Sequence, residues 1–227
     1  MTFDLFESTL SGVTEPLGPR ACILRGFALP FIDRVLPELE QVRAAAPFRH
    51  LVTPSGHTMS VAMTNCGRLG WVSDEHGYRY SARDPLSGQP WPALPAAMLA
   101  LARAAAAACD FPDYEPDACL VNQYLPGSRL TLHQDRNERD LEAPIVSVSL
   151  GLPATFQFGG LKRSDPVTRV GLWHGDVAVW GGVDRMRFHG INTLKDGHHV
   201  LLGRQRLNFT FRVVLDRARR IQAQEAE

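Results

Sequence analysis

The chain has 227 residues, of which 44% are hydrophobic, so it can bury a sizeable core as one domain. Its 24 basic residues balance 24 acidic ones, which excludes a protein that holds nucleic acid mainly by counterion release. No apolar run is long enough for a membrane span, and MTFDLFESTL lacks the order of a signal peptide, so we expect a cytoplasmic protein without membrane contact.

The four cysteines have no CxxC pair and no zinc-like spacing. They are Cys22, Cys66, Cys109 and Cys119. We therefore expect no disulfide framework and a reducing compartment.

The first half of the chain predicts helices and irregular loops. Apolar residues recur at helical spacing in PFIDRVLPELEQVRAAA (30–46), where Pro37 is expected to kink the helix or to begin a new one. A second helix is predicted over 96–109, with Pro95 near its start.

The segment between these helices, residues 52–95, is rich in glycine and proline and carries interspersed aromatic residues. These aromatics are Trp71, Tyr78, Tyr80 and Trp91. Long ordered segments of this kind are often lids or binding loops. The alternative is an extension that is packed by its own aromatic side chains.

The second half changes to short runs with period-2 alternation, separated by proline and glycine. The runs are CLVNQYL (119–125), TLHQD (131–135), IVSVSL (145–150), ATFQF (154–158), VAVW (177–180) and LNFTFRVV (207–214). They predict an antiparallel double sheet or jelly roll that is preceded by helices. Residues 215–227 are expected to form a polar helical tail.

The stretch LTLHQD places His133 and Asp135 two residues apart, hence on one face of a predicted strand. Two such ligands and a histidine from a later strand would form the 2-His-1-carboxylate set of non-haem Fe(II) oxygenases. His189 in RFHGIN is the leading candidate, and His198 and His199 in the loop KDGHHV are its rivals.

A second His-x-Asp triplet, His174-Gly175-Asp176, precedes the run VAVW. The central glycine favours a turn, which would point the two side chains in different directions. We therefore assign this triplet a structural role.

The run RLNFTFR (206–212) has two different faces. Leu207, Phe209 and Phe211 share one face, and the other carries Arg206, Asn208, Thr210 and Arg212. Guanidinium groups bind carboxylates through two parallel hydrogen bonds, so this face predicts a site for a keto acid. In CLVNQYL, Asn122 and Tyr124 share a face in the same way and are expected to contact the same ligand. The alternative for each stretch is a strand with one solvated face.

The chain closely resembles the AlkB family of Fe(II)- and 2-oxoglutarate-dependent dioxygenases, from about Leu5 to Arg212. The stretches that carry the resemblance are TPSGHTMSVAMTNCG, LGW, DPLSGQPWPALP, PDACLVNQY, LHQD, APIVSVSLGLPATFQFGGLKR, HGDVAVWGG and LNFTFR.

The resemblance implies a mainly β (α+β) fold, a double-stranded β-helix with flanking helices and an N-terminal nucleotide-recognition lid. It implies a single domain over 1–227, with helices and lid in 1–117 (the lid at about 50–95), the jelly-roll core in 118–214 and a tail in 215–227.

The resemblance also implies roles for individual residues. The iron ligands would be His133, Asp135 and His189, and Arg212 would belong to the catalytic set. The 2-oxoglutarate residues would be Asn122, Tyr124, Arg206, Asn208 and Arg212. The substrate residues would be Trp71, Tyr78, Tyr80, Arg163, Met63 and Thr53, with Trp71, Tyr78 and His133 enclosing the base.

Two positions depart from the family pattern. Asn137 stands where the family has an acidic residue, and an amide accepts a hydrogen bond only through its oxygen, so the preferred base is in question. His57 stands where a tyrosine is usual.

The implied function is oxidative demethylation of N-alkylated bases, such as 1-methyladenine and 3-methylcytosine, in DNA, with RNA as a second substrate. The cofactor would be Fe(II), and 2-oxoglutarate and O2 would be co-substrates, with formaldehyde and succinate released. We expect a monomer that prefers single-stranded DNA and contacts phosphates through Arg129, Arg136 and Arg163, although each of these could be a solvated surface residue. The alternatives are a dioxygenase for RNA, a protein or a small molecule, and a non-catalytic jelly-roll sensor.

Overall fold

The computed structural model describes residues 11–215, which contain fourteen strands and two α-helices. The strands are β1 (Thr14–Gly18), β2 (Ala21–Leu24), β3 (Arg49–Val52), β4 (Thr58–Gly67), β5 (Gly70–Asp74), β6 (Gly77–Ser81), β7 (Ala118–Tyr124), β8 (Leu130–His133), β9 (Ile145–Gly151), β10 (Ala154–Phe158), β11 (Thr168–Leu172), β12 (Val177–Trp180), β13 (His189–Ile191) and β14 (Arg206–Arg212). The helices are α1 (Ile32–Ala45) and α2 (Ala96–Ala107).

The strands form two facing antiparallel sheets and a separate hairpin. The larger sheet has the order β1-β2-β12-β9-β14-β7-β4-β3, and the smaller one has the order β11-β10-β13-β8. Strands β5 and β6 pair only with each other among the strands of the described chain. This architecture is a jelly roll and confirms the predicted fold class.

Strand β14 shows why the larger sheet is buried on both faces. Its Leu207, Phe209 and Phe211 pack with both helices in the outer core. Its Arg206 and Arg212 lie on the opposite face, which looks into the space between the sheets, and both are buried. The predicted division of this strand into an apolar and a polar face is therefore confirmed.

The helices lie against the outer face of the larger sheet. Glu38 of α1 accepts hydrogen bonds from the backbone N–H groups of Ala97 and Met98 at 2.9–3.1 Å, which caps the start of α2 with a negative charge. Helix α1 runs without a break through Pro37, so this proline does not begin a new helix.

The two predicted helices are present as α1 and α2, but the first half also contains six strands, so the prediction of irregular loops there was wrong. Strands β3 and β4 extend the larger sheet beyond β7, and β1 and β2 extend it beyond β12. The turn between β3 and β4 contains Pro54 and Gly56, which has a φ of +85°.

Two of the cysteines form a disulfide, contrary to expectation. Cys22 of β2 is bonded to Cys109, which follows α2, whereas Cys66 and Cys119 are free, buried and opposite each other in β4 and β7. The bonded pair is 87 residues apart in sequence, so no local spacing indicates it.

The structural role assigned to the second His-x-Asp triplet is confirmed. The carboxylate of Asp176 accepts hydrogen bonds from Arg25 Nη1 at 2.6 Å and from the backbone N–H groups of Gly26 and Trp173 at 2.9 Å. Gly175 has a φ of +89°, and a Cβ there would lie 2.6 Å from Leu29, so the turn requires glycine.

The predicted helical tail lies outside the described residues, apart from Leu215. Within residues 11–215, neither helix has the length and apolar character needed to cross a membrane.

Candidate active site

Strands β8 and β13 bring the two predicted histidine ligands together. His133 ends β8 and lies directly opposite His189, which begins β13, with 4.4 Å between the ring centroids. Gly190 permits this approach, because a Cβ there would lie 2.6 Å from the carbonyl oxygen of Leu130.

Asp135 completes the group from outside the strand. Strand β8 ends at His133, so the prediction that one strand carries both ligands was wrong. The Nε2 atoms of His133 and His189 each lie 3.7 Å from a carboxylate oxygen of Asp135. One ligand atom from each residue falls within 4.8 Å of the others, a cluster that could hold a metal ion.

Backbone carbonyls set the orientation of both imidazole rings. His133 Nδ1 lies 2.9 Å from the carbonyl oxygen of Thr131, and His189 Nδ1 lies 3.0 Å from that of Arg187. Because a carbonyl can only accept, each Nδ1 carries the proton and each Nε2 keeps its lone pair. Both rings therefore present a metal-binding nitrogen toward Asp135.

The electrostatics of the buried site favour the metal-binding form of each group. Burial is the largest single influence on Asp135 and opposes its ionisation. Arg212, with Nε 2.9 Å from Oδ2, acts together with His189, His133 and Arg185 to outweigh burial, so the pKa of Asp135 lies below its ordinary value. Burial and the neighbouring His133 lower the pKa of His189 to about 3, so this ring is neutral at neutral pH.

The site is closed on one side and open on the other. Trp180 packs on His189 with 4.8 Å between ring centroids, and Phe156 lies behind both. His189 is 7% exposed by side chain, whereas His133 is 33% exposed. A substrate can therefore approach from the side of His133.

Arg206 is a buried cation that forms no ion pair with a carboxylate within residues 11–215. It is 1% exposed, it lies over the ring of Tyr124 at 4.9 Å, and its Nη2 donates to Ser149 Oγ at 2.8 Å. Its Nε and Nη1 are buried and have no hydrogen-bond partner within residues 11–215. Burial lowers the pKa of Arg206, so an anion placed here would satisfy both the charge and the free donors.

Asn122 and Asn208 line the same space but differ in how many of their amide atoms are hydrogen-bonded. The amide of Asn208 is fully used: Nδ2 donates to Ser147 and Val148, and Oδ1 accepts from Asn122 and Thr210. The buried Oδ1 of Asn122 has no partner among the described residues. Asn208 thus orients Asn122, which keeps a free polar atom beside Arg206 and Tyr124.

These observations fit a ferrous ion and a dicarboxylate. Two imidazole nitrogens and one carboxylate would hold the iron and leave coordination positions for other ligands. The unpaired donors of Arg206 would hold the distal carboxylate of 2-oxoglutarate. Arg212 is already bound to the carboxylate of Asp135. It therefore orients this iron ligand and does not offer a free guanidinium group to 2-oxoglutarate.

The lid aromatics occupy different environments. Trp71 and Tyr78 stack on each other with 5.6 Å between centroids, so they form one wall and do not face each other across a base. Tyr78 is 47% exposed, whereas the hydroxyl of Tyr80 points inward and donates to Glu138 at 2.6 Å.

Of the remaining predicted substrate residues, Met63 lies deepest. It is 3% exposed, pairs in register with Asn122, and lines with Trp71 a cavity of about 310 Å³. The lining of this cavity comes from residues 49–91 and includes no member of the histidine and aspartate cluster. Thr53 accepts a hydrogen bond from the backbone N–H of His57 in an exposed turn. Neither Thr53 nor His57 has a described contact with the histidine and aspartate cluster.

The residues predicted to contact the base edge and the phosphates are exposed. They are Asn137, Arg129, Arg136 and Arg163. Arg163 lies over the ring of Phe188 at 5.0 Å, which fixes its position beside β13. The rival ligands are remote from the cluster, since His199 packs on His174 at 4.2 Å and His198 is exposed.

The sequence reasoning missed two buried residues. Glu138 and Arg185 are 2% and 1% exposed by side chain and form an ion pair at 3.1 Å. Arg185 Nη1 also donates to the carbonyl oxygen of Asp135 at 2.7 Å. Both lie in charged stretches, RNERD and DRMR, that give no sign of burial.

Comparisons with known proteins agree with this geometry. The family described as the 2OG-Fe(II) oxygenase superfamily matches residues 31–212. The alpha-ketoglutarate-dependent dioxygenases AlkB of Salmonella typhimurium and Escherichia coli are each 56% identical over 198 residues, covering 87% of this chain and 92% of theirs. A homolog from Caulobacter vibrioides is 44% identical over 182 residues, 80% of this chain and 79% of that one. The solved structure of OsALKBH1 matches with a TM-score of 0.77 at 27% identity, covering 88% of this chain and all of that one.

The jelly roll and its histidine and aspartate cluster define a mononuclear Fe(II) oxygenase. The chain belongs to the AlkB family of 2-oxoglutarate-dependent dioxygenases. It is an enzyme that uses Fe(II), 2-oxoglutarate and O2.

Proposed function

We propose that the protein removes alkyl groups oxidatively from nitrogen atoms of DNA bases such as 1-methyladenine and 3-methylcytosine. The observation that carries the proposal is the cluster of His133, Asp135 and His189 beside the unpaired cation Arg206, under a lid with a stacked tryptophan and tyrosine. The 56% identity to AlkB dioxygenases supports the same substrate class.

Iron held by His133, Asp135 and His189 would supply the oxidant for hydroxylation of the N-methyl carbon, with one oxygen atom of O2 going to the substrate and the other to succinate as 2-oxoglutarate loses carbon dioxide; release of formaldehyde would then restore the base. The chain orients these partners. Arg206 holds the distal carboxylate, Arg212 fixes the plane of the Asp135 carboxylate, and Trp180 keeps water from the closed side. No side chain has to act as a general base.

The alkylated atom lies on the pairing edge, so the base must leave the duplex or come from a single strand. Trp71 offers a stacking surface near Met63, and stacking contributes about 1–3 kcal/mol per base. A cationic methylated base gains a further cation–π contribution on the indole. Single-stranded DNA is therefore the expected preferred substrate, with RNA as a second substrate.

The test is release of formaldehyde and succinate from oligonucleotides that contain 3-methylcytosine or 1-methyladenine, as deoxy and ribo versions in single and double strands. We expect both products in equal amounts, and neither when the iron is chelated or 2-oxoglutarate is omitted. Succinate without formaldehyde on every oligonucleotide would assign the enzyme another substrate. Absence of both products would favour a jelly-roll sensor.

We further propose that the enzyme works as a monomer, because one chain supplies all three candidate iron ligands and Arg206. Light scattering of the active protein checks this. The cytoplasmic location stays a prediction from the sequence, which cell fractionation tests.

A further inference from the structure

Glu138 is a buried carboxylate that the proposed chemistry does not use. Three groups surround it: the Tyr80 hydroxyl at 2.6 Å, Arg185 Nη2 at 3.1 Å and Arg212 Nε at 3.5 Å. A buried carboxylate is stable only when it is paired and hydrogen-bonded in this way. Its position three residues after Asp135 places this group of contacts beside the iron ligand.

The three partners come from three separate parts of the fold. Tyr80 belongs to β6 of the lid hairpin, Arg185 lies between β12 and β13, and Arg212 ends β14. Arg185 also donates to the carbonyl oxygens of Asp135 and Ala143, at 2.7 and 3.1 Å. It therefore fixes both ends of the irregular segment 135–143, which contains the iron ligand and Glu138.

We propose that Glu138 is a positioning residue that couples lid strand β6 to the iron ligand Asp135. The coupling runs from the Tyr80 hydroxyl to Glu138, from Glu138 to Arg212, and from Arg212 to Asp135. A displacement of β6 would therefore change how closely Arg212 contacts the carboxylates of Asp135 and Glu138. The inference rests on the proposed function only for the identity of the substrate under the lid.

The distances show how Arg212 is shared. Its Nε lies 2.9 Å from Asp135 Oδ2 and 3.5 Å from Glu138 Oε1, the oxygen that also accepts the Tyr80 hydrogen bond. Burial raises the pKa of Tyr80 well above its ordinary value, so the phenol keeps its proton and donates it. Without this donor, Oε1 would draw Arg212 toward Glu138 and leave Asp135 less firmly oriented.

The first test is Tyr80→Phe, which removes the hydroxyl and keeps the ring. Tyr114→Phe is the matched control, because Tyr114 is 4% exposed and its buried hydroxyl has no hydrogen-bond partner in the described part of the chain. In Tyr80→Phe, amide hydrogen exchange should be about tenfold faster in both 77–81 and 136–143. Unchanged exchange in 136–143, or an equal change in the control, would overturn the coupling.

The second test replaces iron by Co(II), whose visible spectrum depends on the ligand arrangement. Tyr80→Phe should alter the spectrum of the Co(II) protein, and Tyr114→Phe should not. Glu138→Gln keeps an acceptor for Tyr80 and removes the charge that competes for Arg212, so it should alter the spectrum while exchange in 77–81 stays slow. Spectra of both variants identical to wild type would contradict a role in positioning Asp135.

The third test measures succinate and formaldehyde together on a methylated oligonucleotide. Loss of positioning should raise the ratio of succinate to formaldehyde several-fold in Tyr80→Phe, since co-substrate is consumed without productive transfer. A slower enzyme with an unchanged ratio would mean that Tyr80 only stabilises the lid, which would overturn the inference. If the wild-type protein releases no formaldehyde, the proposed function fails, while the exchange and Co(II) tests still decide the coupling.

Discussion

Asp135 of the jelly roll and Tyr78 of the predicted lid are held in place to different degrees. Asp135 is 9% exposed by side chain and is bound by Arg212, and its backbone carbonyl accepts from Arg185. Tyr78 is 47% exposed, and its described ring contact is with Trp71 of the same hairpin. The candidate iron ligand is thus oriented by buried partners before any ligand binds, whereas Tyr78 is exposed to solvent and is held less firmly.

The largest effect on activity is expected from the candidate iron ligands in the jelly roll. His133→Ala should reduce formaldehyde release by more than the roughly 100-fold loss typical of a metal's outer partners, because it removes an iron ligand. Because His133 is 33% exposed by side chain, the fold should survive. His198→Ala, at an exposed histidine, is the control. Activity near the wild-type level in His133→Ala would remove the iron assignment.

The two interior arginines should behave in opposite ways. Arg206→Met should raise the KM for 2-oxoglutarate about 100-fold, yet lower the free energy of unfolding of the ligand-free protein by less than about 1 kcal/mol, since no carboxylate of the described residues pairs with Arg206. Arg212→Met should destabilise the protein by about 3–5 kcal/mol, because Asp135 loses its paired cation. Urea unfolding and KM measurements check both, and equal destabilisation would contradict this contrast.

A smaller effect is expected in the lid. Trp71→Ala should raise the KM for a methylated oligonucleotide by about tenfold, in line with the loss of one stacking surface. The KM for 2-oxoglutarate should stay constant, because Arg206 and Asn122 are untouched. An equal rise in the KM for the oligonucleotide and the KM for 2-oxoglutarate would show that Trp71 stabilises the jelly roll and does not bind the base.

Base choice is expected to shift by only a few-fold at Asn137. In Asn137→Asp, a carboxylate replaces the amide that can accept only through its oxygen, so the ratio of kcat/KM for methylated adenine and methylated cytosine should change. Asn137→Ala separates the loss of the amide from the gain of charge. Identical ratios in all three proteins would exclude this position from base recognition.

A separate effect, unrelated to the active site, is expected on stability at mildly acidic pH. Burial and the neighbouring His199 lower the pKa of His174 to about 4, whereas the unfolded chain titrates near 6.5. Between these values the unfolded state binds more protons, so His174 stabilises the fold above pH 6.5 and loses that contribution as pH falls toward 4.

The variant His174→Asn isolates this contribution, since its amide oxygen can still accept from the backbone N–H of Gly151. Unfolding in urea at pH 7, 5.5 and 4.5 should show a shallower pH dependence in the variant than in the wild-type protein. His189 is present in both proteins, so its contribution to the pH dependence of the unfolding free energy is the same in each and does not affect the comparison. Matching slopes would show that His174 contributes nothing.

Local sequence pattern was enough to predict much of the barrel. The alternation in RLNFTFR placed Arg206 and Arg212 on one face, and the structure confirms it. The same reasoning missed the strands of the first half, where β2 pairs with β12 and β4 pairs with β7, while β1 and β3 add to β2 and β4 at the two edges of the sheet. It also failed at Asp135, which is held by Arg212 and Arg185 beyond the end of β8.

The sequence by itself determined the jelly-roll class, the choice of His189 over His198 and His199, and the family, because these depend on strand period and on long matching stretches. The tertiary structure alone decided which buried charges are paired. Within the described part of the chain, Arg206 has no carboxylate partner and Arg212 has two, because these contacts depend on residues that lie far away in the sequence. Two further contacts were decided by the tertiary structure: the disulfide between Cys22 and Cys109 and the hydrogen bond between Tyr80 and Glu138. In both, the packing of distant segments sets the distance between the two side chains.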